Sequence, residues 1–264
     1  MTVKKPTVIK TFITKNKYSR PGSKRSRTTK IAWHYTGAHD VSAKATVNYF
    51  KNLATTHTTY ASSHYVCGLE GEIYYIVPES EIAYTTNSAN YYSIGIECAT
   101  TGSDDHYSDK EYVSMVKLGA YLADKYNLDP RTDFIRHYDV TKKICPRYFV
   151  NNSKKWKQFK LDCYNYMKGK LTEENIRNCT NGKGASILTE TEEPAAFKQY
   201  IVRCTADVLN GRTGPDTNYD VITQLTKGTA VTIVSEKTVD GVKWGKTKSE
   251  YWICLKYTDF IRFL

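Results

Sequence analysis

Three residues far apart in the chain, His34, His137 and Cys145, are of the types that hold a catalytic zinc ion, and each stands in a setting suited to it. His34 ends the apolar run Lys30-Ile-Ala-Trp-His, while His137 and Cys145 flank a short loop in Ile135-Arg-His-Tyr-Asp-Val-Thr-Lys-Lys-Ile-Cys-Pro-Arg. Zinc takes imidazole nitrogen and thiolate sulfur in a tetrahedral shell. With three protein donors the fourth position is open to a water, whose pKa falls to about 7. A structural site would want a fourth donor, typically a second cysteine close by, and the sequence contains no C-x-x-C pair. The spacing therefore favours hydrolysis over scaffolding. Such chemistry also needs a carboxylate to take the proton from water and a cation to stabilise the oxyanion. Glu97 closes the apolar run Ser93-Ile-Gly-Ile-Glu, an unusual place for a carboxylate at the end of a buried strand. Lys143 lies two positions before Cys145, so in an extended loop the two side chains share a side.

The elements that must position these residues read as an α/β domain. Apolar runs predict strands over 30–34, 64–69, 72–77, 93–100 and 132–137, with Glu70-Gly71 as the hairpin turn between the second and third. The first, fourth and fifth strands all end at candidate site residues. A helix is expected over 43–53, capped near Ser42. A second begins at the capping box Ser108-Asp-Lys-Glu111 and lines up Met115, Leu118, Leu122 and Tyr126, and a third covers 154–167.

At this level residues 1–168 resemble the type 2 N-acetylmuramoyl-L-alanine amidases, the zinc enzymes of phage endolysins and bacterial autolysins. The resemblance rests on Tyr18-Ser-Arg-Pro-Gly, Ile31-Ala-Trp-His-Tyr-Thr-Gly, Ser62-Ser-His-Tyr-Val, Ser93-Ile-Gly-Ile-Glu and Arg136-His-Tyr-Asp-Val leading to Lys143-Ile-Cys-Pro-Arg, in that order. It implies Zn2+ on His34, His137 and Cys145, Glu97 as general base and Lys143 as oxyanion stabiliser. Members that lack the cysteine bind peptidoglycan without cutting it, so Cys145 speaks for an active hydrolase. The chain departs from the pattern in two places. Ser63 stands where some members carry a catalytic tyrosine, which leaves the base role to Glu97 alone. Thr85 stands where many carry a substrate-facing histidine, and it and Arg147 are the expected contacts to substrate near the metal.

Composition agrees with a two-domain wall hydrolase. The 264 residues suffice for one sizeable domain and a small one, and 40% are hydrophobic. No signal-peptide h-region precedes the first domain and nothing is expected to insert in a membrane, so release by a holin or by lysis is the expected route to the wall. Seven cysteines without a disulfide framework suit a reducing compartment. The net charge of +11 is concentrated at the start, where the first thirty residues hold ten Lys and Arg and no Asp or Glu. Such an arm suits an anionic partner such as the teichoic polymers of a Gram-positive wall. No DNA- or RNA-binding motif is present and only Phe12 and Tyr18 could stack on bases, so nucleic acid is not an expected partner.

Residues 169–197, with three basic and five acidic residues and Pro194, read as a linker. From 198 the pattern becomes short β segments and turns. The run Leu209-Asn-Gly-Arg-Thr-Gly-Pro215 resembles the signature of bacterial SH3-type domains, small all-β barrels that bind cell wall. The fold class is thus an α/β catalytic domain with a mixed central sheet flanked by helices, plus a small SH3-like barrel over 198–264. Tyr219, Trp244, Tyr251 and Trp252 are the candidate wall contacts, and tethering would keep the catalytic domain at high local concentration over peptidoglycan. Two other classes stay open: a wall-binding protein without catalysis, and a basic nucleic-acid-binding protein with a structural zinc.

Overall fold

In the computed structural model, which describes residues 2–25, 27–180, 197 and 199–264, the chain divides into two compact units, Met1–Ile187 and Leu188–Leu264. The strands of the first unit are β1 (Ile9–Lys10), β2 (Lys30–His39), β3 (Tyr65–Cys67), β4 (Ile73–Tyr75), β5 (Ser93–Thr100) and β6 (Phe134–Arg136). They form one mixed sheet in the order β1-β4-β3-β5-β2-β6, parallel throughout except for the β3/β4 hairpin. That hairpin turns where expected. Gly71 takes a φ of +87°, a conformation open to glycine, and its N–H donates to the Gly68 carbonyl.

Helices cover both faces. They are α1 (Ala43–Thr56), α2 (Asp109–Lys125), α3 (Pro130–Asp133), α4 (His137–Thr141), α5 (Arg147–Asn151), α6 (Ser153–Met167) and α7 (Glu173–Thr180). Ser42 and Ser108 cap α1 and α2, their hydroxyls accepting from the N–H groups of Ala45 and Glu111. The two-residue period of the strands then sorts the side chains. Ile31 and Trp33 of β2, with Ile94, Ile96 and Cys98 of β5, enter the larger core beneath α2 and α6, where Trp33 meets the Phe159 ring edge-on at 4.7 Å. The alternate positions, among them His34 and Glu97, face the other side, where Val66 and Ile76 pack with Val47, Phe50 and Leu53 of α1.

Several boundaries differ from the sequence expectation. β2 continues to His39 through an irregularity between Tyr35 and His39, and β6 is shortened because Asp129 and Pro130 start the helical turn α3 ahead of it. The basic N-terminus is not a free arm. Ile9 and Lys10 pair with β4, and Arg20 forms a 2.7 Å ion pair with Glu81. The first unit also extends past residue 168. Leu171 and Ile176 are buried in the larger core, and Lys117 of α2 holds Glu173 of α7 at 2.7 Å, so the first part of the expected linker is structure. Its remainder, 181–196, lies outside the described residues.

The second unit contains β7 (Tyr200–Cys204), β8 (Val208–Arg212), β9 (Val221–Thr226), β10 (Ala230–Val239), β11 (Val242–Thr247), β12 (Trp252–Cys254) and β13 (Thr258–Phe263). They make an antiparallel sheet in the order β13-β7-β10-β11-β12-β8-β9, in which the end strands β13 and β9 are not bonded to each other. The region is all-β as expected, but the ladder does not close into a barrel. Its core gathers Val202, Leu209, Leu225, Ile233, Trp244 and Ile253. The Arg212 guanidinium donates to the carbonyls of Thr217 at 3.0 Å and Tyr219 at 2.8 Å, so the arginine of the L-N-x-R-x-G-P run ties down its own turn.

Candidate metal centre

Strand register assembles the site. On β2 and β5 His34 is the partner of Glu97, and on β2 and β6 Trp33 is the partner of Arg136, which sets His137 beside His34 one step further on. Glu97, His34 and His137 therefore form a row across three adjacent parallel strands, with His34 and Glu97 midway along β2 and β5 and His137 just past the end of β6. The two imidazole rings lie 4.9 Å apart between centroids. Cys145 arrives from the loop after α4 and is held there by the Tyr138 N–H, which donates to its carbonyl at 3.0 Å. Its sulfur lies 3.7 Å from His34 Nδ1. One donor atom from each of His34, His137 and Cys145 falls within 4.8 Å of the others, and all three residues are buried.

Two residues that the sequence did not single out fix which nitrogens face the centre. His34 Nε2 lies 2.8 Å from Thr86 Oγ1, whose own proton goes to Thr85 Oγ1, so the imidazole donates. His137 Nε2 donates to Asn87 Oδ1 at 3.1 Å. With Nε2 protonated in both rings, the two Nδ1 lone pairs point inward, the arrangement that outer partners impose on metal-bound histidines. Thr86 is fully buried, and Asn90 Oδ1 braces the segment by accepting from the N–H groups of Thr85 and Thr86. Asn87 sits at φ 53°, a left-handed conformation that asparagine tolerates. No periodic signal marks this polar turn.

The electrostatics suit a cation. Burial pushes His34 well below its ordinary pKa, helped by the nearby His137 and Lys143, and burial with Lys143 also lowers His137. Both rings are therefore neutral at pH 7 and able to bind a metal. Burial pushes the Cys145 thiol up to about 12, with the Glu97 carboxyl adding to the rise. A coordinated cation reverses that preference and deprotonates the thiol. Glu97 is pushed up to about 8 by desolvation, against an opposing pull from Lys143, and one of its carboxyl oxygens is buried without a hydrogen-bond partner. Lys143 is itself exposed and acts on His34, His137, Glu97 and Cys145 alike, so all five expected residues converge. Two neutral imidazoles and a thiol at this spacing fit a zinc-type cation as donor set and as charge.

The expected substrate contacts are placed differently. Thr85 gives its hydroxyl to the Thr86 and Asn90 bonds and packs on Gly95. Arg147 pairs with Asp105 at 2.6 Å, beneath the cysteine loop. In the second unit Trp244 is only 5% exposed and packs in the core, with only its edge reaching the surface groove. Tyr219 and Tyr251 lie half-buried over Gly214 and Gly211, and Trp252 is half-buried against the core. A groove of about 400 Å³ on that unit is lined by Asn210, Arg212, Asp216, Lys256 and Tyr257 around the edge of Trp244.

Fold and site together describe a mixed α/β domain that presents a three-donor His2Cys cluster, with a carboxyl and an ammonium beside it, across three adjacent parallel strands. Residues 24–148 match the family of N-acetylmuramoyl-L-alanine amidases. The chain is 32% identical over 193 residues to N-acetylmuramoyl-L-alanine amidase BlyA of Bacillus subtilis (strain 168), covering 65% of this chain and 50% of that protein. It is 31% identical over 204 residues to N-acetylmuramoyl-L-alanine amidase CwlL of Bacillus licheniformis, covering 73% and 56%. The chain thus spans about half the length of the curated relatives it matches. The solved structure of PlyL superimposes with a TM-score of 0.51 at 21% identity over 60% of this chain and 97% of PlyL, which shows the fold of the first unit.

Proposed function

We propose that the chain is a zinc-dependent peptidoglycan hydrolase that cleaves the amide between the lactyl group of N-acetylmuramic acid and L-alanine of the stem peptide. The observation that carries this reading is the convergence of His34, His137 and Cys145 within 4.8 Å, with Glu97 in register beside His34. Zinc, when bound, supplies a Lewis acid that polarises the scissile carbonyl and makes water acidic enough to attack at neutral pH. His34 and His137 would hold it through Nδ1 and Cys145 through Sγ. Glu97 accepts the proton of the attacking water and returns it to the leaving amine; desolvation raises this carboxyl in the metal-free site, and the charge of Lys143 together with that of a bound cation favours the carboxylate form the role requires. The Lys143 ammonium stands free to donate to the oxyanion that forms at the attacked carbonyl.

The all-β unit fits a tether to the Gram-positive wall of the bacterial SH3 type, with its groove as the contact surface, and the basic N-terminal segment adds attraction to anionic wall polymers. Among the described residues no helix is long and apolar enough to cross a membrane, which suits an enzyme that meets its substrate outside the bilayer, in the manner of an endolysin or an autolysin. The test is clearing of purified Gram-positive walls with and without a zinc chelator, followed by analysis of new chemical ends. Chelator-sensitive release of L-alanine amino termini without new reducing sugars is the expected result. New reducing sugars would refute the reaction.

A further inference from the structure

The loop that delivers Cys145 is anchored from an unexpected direction. Asp105 lies in the turn after β5, with its backbone at φ 58° and its side chain 1% exposed. An isolated carboxylate at that depth would be costly, and it is instead shared. Arg147 Nη1 lies 2.6 Å from its Oδ2 as an ion pair, while Thr100 Oγ1 and His39 Nδ1 lie 3.2 Å from its Oδ1. Arg147 is the second residue after Cys145. Its guanidinium also sits 5.7 Å from the centroid of the Tyr35 ring. Tyr35 directly follows His34, whose Nδ1 lies 3.7 Å from the Cys145 sulfur. One guanidinium thus connects a buried carboxylate to the chain positions next to two of the three metal donors.

We infer that Asp105 and Arg147 are positioning residues for the metal: together they hold the Cys145 sulfur and the His34 strand end at coordinating distance, and Arg147 serves this role and not that of a substrate contact. The inference rests on the His2Cys cluster binding zinc, as proposed above. A guanidinium set between a buried carboxylate and the face of an aromatic ring is held by both, and a lysine ammonium would not reproduce the flat contact with the ring. Outer-sphere groups of this kind commonly change metal affinity by about 10- to 100-fold.

The full-length protein and the variants Asp105→Asn, Arg147→Ala, Arg147→Lys and the double Asp105→Asn/Arg147→Ala are compared by competition with a chromophoric zinc chelator. The near-ultraviolet thiolate-to-metal band of the cobalt-substituted protein and thermal unfolding of the metal-free protein are measured alongside. Asp105→Asn and Arg147→Ala should each weaken zinc by about 10- to 100-fold and weaken or shift the cobalt-thiolate band. Arg147→Lys should recover part of the loss, and the double variant should bind no more weakly than Arg147→Ala alone, since the two act as one unit. Unchanged zinc affinity and cobalt band, with only a lower unfolding temperature, would reduce the pair to a structural ion pair and overturn the inference. Additive losses would overturn the coupling. A wild-type protein that fails to bind zinc would overturn it together with the metal reading. Tight zinc binding without amidase products would refute only the proposed reaction.

Discussion

Thr86→Val replaces a fully buried hydroxyl by a methyl of nearly the same volume and removes the oxygen that accepts from His34 Nε2 at 2.8 Å. The packing is preserved while a buried donor loses its partner. Leaving such a group unsatisfied costs about 1–3 kcal/mol, and His34 itself is only 2% exposed, so water cannot replace the lost acceptor. Taking about 2 kcal/mol, the unfolding temperature of the metal-free first unit should fall by about 4–8 °C, using about 2–4 °C per kcal/mol for a unit of its size. The imidazole has one escape, which is to move its proton to Nδ1, and that places an N–H where a cation must sit. Zinc affinity should therefore fall as well, by about 10- to 100-fold. Thr86→Ser keeps the oxygen and should stay close to wild type in both measurements. Calorimetry without metal and chelator competition with it read the two effects separately. An unchanged zinc affinity in Thr86→Val would refute the tautomer argument, since it would mean that His34 presents Nδ1 without help from Thr86.

Glu97→Gln should retain zinc within a few-fold but lose about 10²- to 10⁴-fold in turnover on wall fragments, and near-normal turnover would remove Glu97 from the mechanism. His64 is fully buried between the Glu81 carbonyl and the Gly95 N–H, and its pKa is lowered from 6.5 to about 4, chiefly by desolvation. The unfolded chain therefore takes up a proton first as the pH falls. The stabilisation from keeping this ring neutral is complete above pH 6.5, declines by about 2 kcal/mol by pH 5, and is lost as the pH passes below 4. Imidazole NMR titration of the metal-free protein checks this, and a His64 midpoint near 6 would contradict it. Ile176→Ala should destabilise the first unit by about 2–5 kcal/mol in urea unfolding, because Ile176 is 1% exposed; an effect near zero would restore α7 to the linker. Trp244→Ala should unfold the second unit, at a cost of about 3–5 kcal/mol, before it weakens any wall contact, and circular dichroism compared with binding to walls would show the order.

His34, Glu97 and His137 were legible because each follows an apolar run in the sequence, and Cys145 and Lys143 because they share one short loop after His137. Ile31, Trp33, Ile94 and Ile96 fill one face of the sheet, and the strand period leaves His34 and Glu97 on the other. Ser42, Ser108 and Gly71 were legible for local reasons, since caps and tight turns use chemistry within three residues. What escaped was tertiary. Thr86 and Asn87 sit in a polar turn that acquires meaning only when the fold sets it against two imidazoles 52 and 50 residues away in sequence. Arg147 resembled a substrate contact because Asp105, its partner, is exposed to sequence reasoning only as another loop acid. α7 is polar enough to read as linker, and the buried Leu171 ahead of it and Ile176 within it are too few to show a period. Trp244 and Trp252 share a face of the β11/β12 ladder, Trp244 opposite Cys254 and Trp252 opposite Lys246, and differ in burial by their place along it, which a short apolar run does not specify in advance.

The row Glu97, His34, His137 makes the spacing of the sheet, about 4.8 Å between neighbouring strands, the ruler of the reactive centre. β6, which carries one end of that row, has only three residues, Phe134–Arg136, and lies at the edge of its sheet. Edge segments this short open more often than the strands behind them. When β6 frays, His137 leaves with it and the Tyr138 N–H that holds the Cys145 carbonyl is disturbed, while His34 remains in place. Release of the metal and exchange of the β6 amide protons should then share one rate, so that the slowest step in losing the ion is the parting of a strand, not the breaking of a coordination bond.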